Sequence, residues 1–111
     1  HFAGKFPVWL APEQVKVLPV TDRAAAYAEE LVAAMNAMGL RASADLRKEK
    51  IGRKILDAEL EKVPYKLVVG DKEVEEGSVS VRRRGEGDIG AMSKAEFFAL
   101  VKKENDEKTI F

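Results

Sequence analysis

The sequence predicts an α/β domain built on a mixed sheet with three helices, and three observations lead there. Between residues 14 and 70, β-rich runs alternate with amphipathic stretches in the order strand, helix, strand, helix, strand, the order that right-handed parallel crossovers produce. The run YKLVVG (65–70) is short and nearly continuously apolar, which marks a central strand covered on both faces. From Val69 to Val79 the chain is too short for a crossover helix, so the next strand returns antiparallel and the sheet is mixed.

The elements follow in order. Residues 1–13 hold Phe2, Phe6, Trp9, Gly4, Pro7 and Pro12, an irregular apolar lead-in whose aromatics are expected to pack on a neighbouring layer. QVKVLPV (14–20) reads as the first strand, ended by Pro19. Thr21 or Asp22 then caps a helix over 23–38, in which Tyr27, Leu31, Met35 and Met38 form an apolar stripe and after which Gly39 stops the turn. LRASADL (40–46) alternates and is polar enough for an edge strand.

A second helix is predicted over about 48–62, with Ile51, Ile55 and Ala58 inward and Lys50, Arg53, Lys54 and Asp57 facing outward or toward the helix start. Gly52 costs this helix roughly 1 kcal/mol of propensity, which calls either for close packing on the sheet or for something approaching the backbone. Val63-Pro64 ends it. DKEVEEG (71–77) reads either as a turn of helix stopped by Gly77 or as the start of a hairpin. In the strand 78–84, Val79 and Val81 share one face and Ser80, Arg82 and Arg84 the other. GEGDIGAM (85–92) is expected as a loop with a brief edge strand around 88–90. Ser93 and Glu96 form a capping box for a last helix through about Glu104, with Phe97, Leu100 and Val101 facing the core.

Composition closes off several kinds of chemistry. The chain has 111 residues, no cysteine and one histidine, His1, so thiolate metal sites and Ser-His or Cys-His dyads are close to excluded. Its carboxylates are scattered among lysines like a solvated surface, and no catalytic site is expected. Gly85-Glu86-Gly87-Asp88-Ile89-Gly90 matches a dinucleotide fingerprint only formally, because its acids repel a pyrophosphate and the helix starts too late. There is no long apolar run and no signal peptide, so a cytoplasmic protein without a membrane partner is expected. The absence of an initial methionine reads as a cut from something longer.

With 19 basic and 19 acidic side chains the net charge is zero, so any nucleic-acid binding requires charge sorted into faces. The segment 45–84 does this sorting. It runs from a basic helix start to three consecutive arginines, two clusters expected at one end of the sheet. Arginine offers a planar fork to phosphate and a plane to an unpaired base, and a glutamate accepts from guanine or cytosine edges. Against this stands the reading of ordinary solvated charges balanced by Glu49, Glu59, Glu61, Glu73, Glu75 and Glu76. A small-molecule site using the glycine loop and a protein-docking module are two further alternatives.

FPVWLAPEQVKVLPVTD (6–22), GLRASADLRKEKIGRKI (39–55), VPYKLVVGDKEVEEGSVSVRRR (63–84) and GDIGAM (87–92) closely resemble the C-terminal anticodon-binding domain of bacterial threonyl-tRNA synthetases, members of class IIa. The likeness covers about residues 2–103. It implies a three-layer α/β/α domain with a five-stranded mixed sheet and three helices over residues 14–104, a lead-in 1–13 from a preceding catalytic domain, and a tail 105–111. It implies that Lys50, Glu73 and Arg82 contact anticodon bases. Arg47, Arg53, Lys54 and Arg84 are added here as weaker candidates for the RNA backbone. Two positions depart from the family pattern, Leu56 where arginine is frequent and Lys48 where asparagine is. The resemblance further implies threonine tRNA as partner and a homodimeric parent enzyme. ATP, Mg²⁺ and Zn²⁺ would serve that enzyme's catalytic domain, leaving no cofactor or metal here.

Overall fold

The computed structural model describes residues 13–61, 63–83 and 87–106, the last three as backbone only. The aromatics of the lead-in and Arg84 lie outside the described residues. Strands β1 (Val15–Pro19), β2 (Ala42–Ala44), β3 (Tyr65–Val69), β4 (Ser78–Arg83) and β5 (Gly87–Ser93) form one sheet in the order β2-β1-β3-β4-β5. The helices are α1 (Asp22–Ala37), α2 (Ile51–Leu60), α3 (Asp71–Glu76) and α4 (Lys94–Asp106). β1 runs parallel to both β2 and β3, while β4 is antiparallel to β3 and β5 to β4.

Alternation along the strands divides the two faces. Val15, Val17, Tyr65, Leu67, Val69, Val79 and Val81 point to one side and meet Tyr27, Leu31 and Met35 of α1 and Phe97 and Val101 of α4. This is the core, and Phe97 sets its ring edge-on to Tyr65 with centroids 5.3 Å apart. The opposite side carries Lys16, Leu18 and Lys66, and α2 lies across it over β1. Helices on both faces make the three-layer α/β/α arrangement.

Local chemistry sets most boundaries. Thr21 is the N-cap of α1, its Oγ1 accepting the Ala24 N–H at 3.2 Å, and Gly39 leaves the helix at φ +87°, a left-handed value that favours glycine. Ser93 Oγ accepts the Glu96 N–H at 3.1 Å and so caps α4.

Four expectations are corrected. There are four helices rather than three: residues 71–76 form α3, which starts on Gly70 and ends on Gly77 at φ +67°. The segment expected as a loop is the seven-residue strand β5. Its register steps from Val81↔Gly90 to Arg82↔Asp88, leaving Ile89 as the extra residue of a bulge, with Gly90 at φ +102°. Helix α2 starts at Ile51, not near Lys48: Asp45 accepts the Arg47 N–H at 3.2 Å in a turn over 45–47, and Lys50, extended at its backbone, is the N-cap. Lastly, Lys54 does not face outward. It lies at i+3 from Ile51 and i−4 from Ala58, squarely on the inward stripe, and is 4% exposed.

Candidate nucleic-acid interface

Helix α2 leaves the end of the sheet where β1 and β3 finish. Lys50 is its N-cap residue, extended at φ −66° and ψ 147°, and makes no side-chain capping bond. It is exposed, one turn before Lys54, whose Nζ donates to the Pro19 carbonyl at the end of β1 at 3.0 Å. Glu73 reaches the same end from β3. Its Oε1 accepts the Gly70 N–H at 2.7 Å, half of a capping box whose other half glycine cannot supply. α3 is tied to the start of α1 by Thr21 Oγ1 donating to Asp71 Oδ1 at 2.9 Å and by an exposed Arg23–Glu75 pair.

Arg82 is elsewhere. In the register of the sheet it faces Lys66 on one side and Asp88 on the other, and because Lys16 faces Lys66, these residues form a charged row across the α2 side. Lys66 lies four residues before Gly70, so the row is about 13 Å back along the strand from the end that Glu73 occupies. The expected shared rim is therefore corrected. β4 runs back along β3, which carries its arginines to the end opposite the start of α2. Arg82 is half-buried, and its Nε is shielded from solvent without a hydrogen-bond partner. A buried donor left in that state costs stability, and an arriving acceptor relieves the cost.

The expected backbone-contacting arginines already have partners. Arg47 donates from Nε and Nη2 to both oxygens of Asp45 at 2.8 and 2.7 Å, and from Nη2 to Asp57 at 2.8 Å. Arg53 is 3.2 Å from Asp57 one turn on. Hydrogen bonds from Arg47 hold both carboxyls below the usual carboxylate range, and Asp45 and Asp57 hold the Arg47 guanidinium firmly charged. Two arginines and two aspartates thus form a nearly neutral cluster whose field on a nearby phosphate is weak. It borders a cavity of about 560 Å³ beside β1, β2 and α2, which none of Lys50, Glu73 and Arg82 lines.

A smaller cleft of about 160 Å³ opens where β1 ends and is lined by Pro19, Thr21, Leu46, Arg47, Lys48 and Lys54. Lys48 is exposed there. Sequence reasoning passed over it as a site, although its place in the basic run before α2 was visible. Gly52, exposed in the first turn of α2, has nothing within 4 Å of where a Cβ would stand. Close packing on the sheet is therefore not its reason. Gly87 and Gly90 belong to β5 and form no phosphate loop. Among the described residues, no group of three or more His, Cys, Asp or Glu side chains could hold a metal ion, and no helix is long and apolar enough to cross a membrane.

A five-stranded mixed sheet with helices on both faces and a cationic helix start at one end is the frame of a small α/β binding domain. Residues 14–104 match the family described as the anticodon binding domain, and the chain belongs to that family. Its relatives narrow the kind. It is 53% identical over 110 residues to the threonine–tRNA ligase of Desulforamulus reducens and 54% identical over 110 to that of Symbiobacterium thermophilum, 99% of this chain in each case. It spans only 17% of the length of either relative. The RNA binding domain of threonyl-tRNA synthetase from Cryptosporidium parvum superposes with a TM-score of 0.88 at 25% identity, over 94% of this chain and 26% of that one. Prolyl-tRNA synthetase of the same organism shares the fold, with a TM-score of 0.81 at 23% identity over 94% of this chain and 22% of that one.

Proposed function

We propose that this chain holds the anticodon loop of threonine tRNA for a threonine–tRNA ligase whose catalytic part lies outside it. The observation that carries the reading is the identity of about half, along nearly the whole chain, to threonine–tRNA ligases. In this reading Lys50, Glu73 and Arg82 meet anticodon bases. Lys50 is exposed and uncommitted, Arg82 offers a donor in need of an acceptor, and Glu73 keeps Oε2 for the amino edge of a base. The separation between Glu73 and Arg82 suits two neighbouring bases read apart rather than one base read twice. Lys48 and Arg84 neutralise phosphates, and Arg47 and Arg53 contribute less because their charge is matched internally. Threonine activation with ATP, and the Mg²⁺ and Zn²⁺ it calls for, belong to the catalytic part, as does dimerisation. The work is done in the cytoplasm, with translation.

A titration of the chain with a threonine-tRNA anticodon stem-loop, against a scrambled loop of equal length, tests this. The cognate loop should bind more tightly, with a log-log salt slope of about −0.7 per neutralised phosphate. Arg82→Ala should weaken cognate binding by roughly tenfold, the loss of one charged contact. Equal binding of the two loops defeats the proposal.

A further inference from the structure

Lys54 is a buried cation, 4% exposed, and its surroundings account for it. In a parallel ladder, alternate residues of a strand turn both N–H and C=O toward the same neighbour. Val17 turns toward β2, since its carbonyl accepts the Asp45 N–H at 2.9 Å, and Val20 turns toward β3, since its N–H donates to Val69 at 2.8 Å. Pro19 therefore turns its carbonyl toward β2. But β2 is three residues long and its last register pair is Val17↔Ala44, so no strand residue arrives opposite Pro19. Proline has no N–H to leave orphaned, but its buried carbonyl needs a donor. The Lys54 ammonium supplies it at 3.0 Å. The nearby Asp45 carboxylate, itself 7% exposed, is held charged chiefly by the Arg47 hydrogen bonds and in lesser part by Lys54.

The other tie of α2 to the strand ends, Arg47 between Asp45 and Asp57, reaches the second turn of that helix rather than its start. Its N-cap makes no side-chain bond and its first turn holds no acid. The Lys54 N–H donates to the Lys50 carbonyl at 3.1 Å, so a chain of two bonds runs from the end of β1 through Lys54 to Lys50. We propose that Lys54 is a positioning residue. Its ammonium replaces the missing length of β2 and fixes the first turn of α2, so that Lys50 is presented to the anticodon loop, and it touches no phosphate itself. This rests on the RNA-binding reading given above.

The test compares Lys54→Met, similar in length and uncharged, with Lys54→Arg and wild type, each bound to the threonine-tRNA anticodon stem-loop and to one with its second anticodon base changed, across a salt series. Lys54→Met should lose about tenfold in cognate affinity, lose most of its discrimination between the loops and keep the wild-type salt slope. Lys54→Arg should restore both losses. A slope smaller in magnitude by about 0.7 with discrimination intact would make Lys54 a direct phosphate contact, and unaltered binding would deny it any role; either result overturns the proposal. Amide exchange at residues 51–54 is read on the same proteins without RNA. It should be faster in Lys54→Met while α1 and β3 keep their protection, and unchanged exchange also refutes the positioning role. If wild type fails to distinguish the cognate from a scrambled loop, the RNA-binding reading falls, and exchange still decides what Lys54 holds.

Discussion

Glu73 and Gly70 are joined by a 2.7 Å hydrogen bond from the glycine N–H to one carboxylate oxygen, so the acid assigned to a base edge also starts its own helix. In the proposed reading, recognition and folding are superimposed on this one side chain. An alanine substitution there confounds the two.

Glutamine separates them, because its carbonyl oxygen can still accept from Gly70 while its amide replaces the second acceptor with a donor. Glu73→Ala should cost about 0.5–1.5 kcal/mol in a denaturant melt, and Glu73→Gln markedly less. Both should lose discrimination at the second anticodon base. If Glu73→Gln discriminates as well as wild type, the base contact is refuted, whatever the melts show.

The Asp45–Arg47 fork predicts an acid-sensitive contribution to stability. The Arg47 hydrogen bonds hold the Asp45 carboxyl below its ordinary value, and a group whose folded pKa is depressed stabilises fully above its unfolded value, about pH 4, and less as pH falls through the folded one. Arg47→Met should therefore lower the melting temperature most at neutral pH, and the gap from wild type should shrink as pH falls below about 4. A gap independent of pH would mean that the fork contributes through packing alone.

Gly52 stands in a helix, exposed, with open space where a side chain would go. Gly52→Ala should raise stability, by up to about 1 kcal/mol, and in the same protein weaken the stem-loop, because the added methyl stands in the first turn beside Lys50. Gains in both measurements would make the glycine a neutral accident of sequence.

How far the sequence was readable depended on whether the deciding interaction was local. Thr21, Gly39, Pro64 and Ser93 announce boundaries because each acts on its own backbone or the next turn. The YKLVV strand announces its place because burial on both faces leaves a continuous apolar run. Lys54 was misjudged because residue type was allowed to outvote position: at i+3 from Ile51 it belonged to the inward stripe, and the carbonyl it serves is 35 residues away. β5 was underestimated because glycines that normally interrupt a strand here build its bulge. The three base-contacting candidates were legible only through their motifs. Arg82 lies away from Lys50 and Glu73 because β4 runs antiparallel to β3, a return that the short connection from Val69 to Val79 already implied, so the expectation of one shared end conflicted with the predicted topology.

The two sides of the sheet have different obligations. Phe97, Tyr65 and the valines of β3 and β4 form the core on one side, while the other side also buries Leu18 and Lys66, so only its margin, with Arg82 half-buried and Asp88 exposed, accepts exchange without dismantling the scaffold. The prolyl enzyme's chain shares this fold at 23% identity.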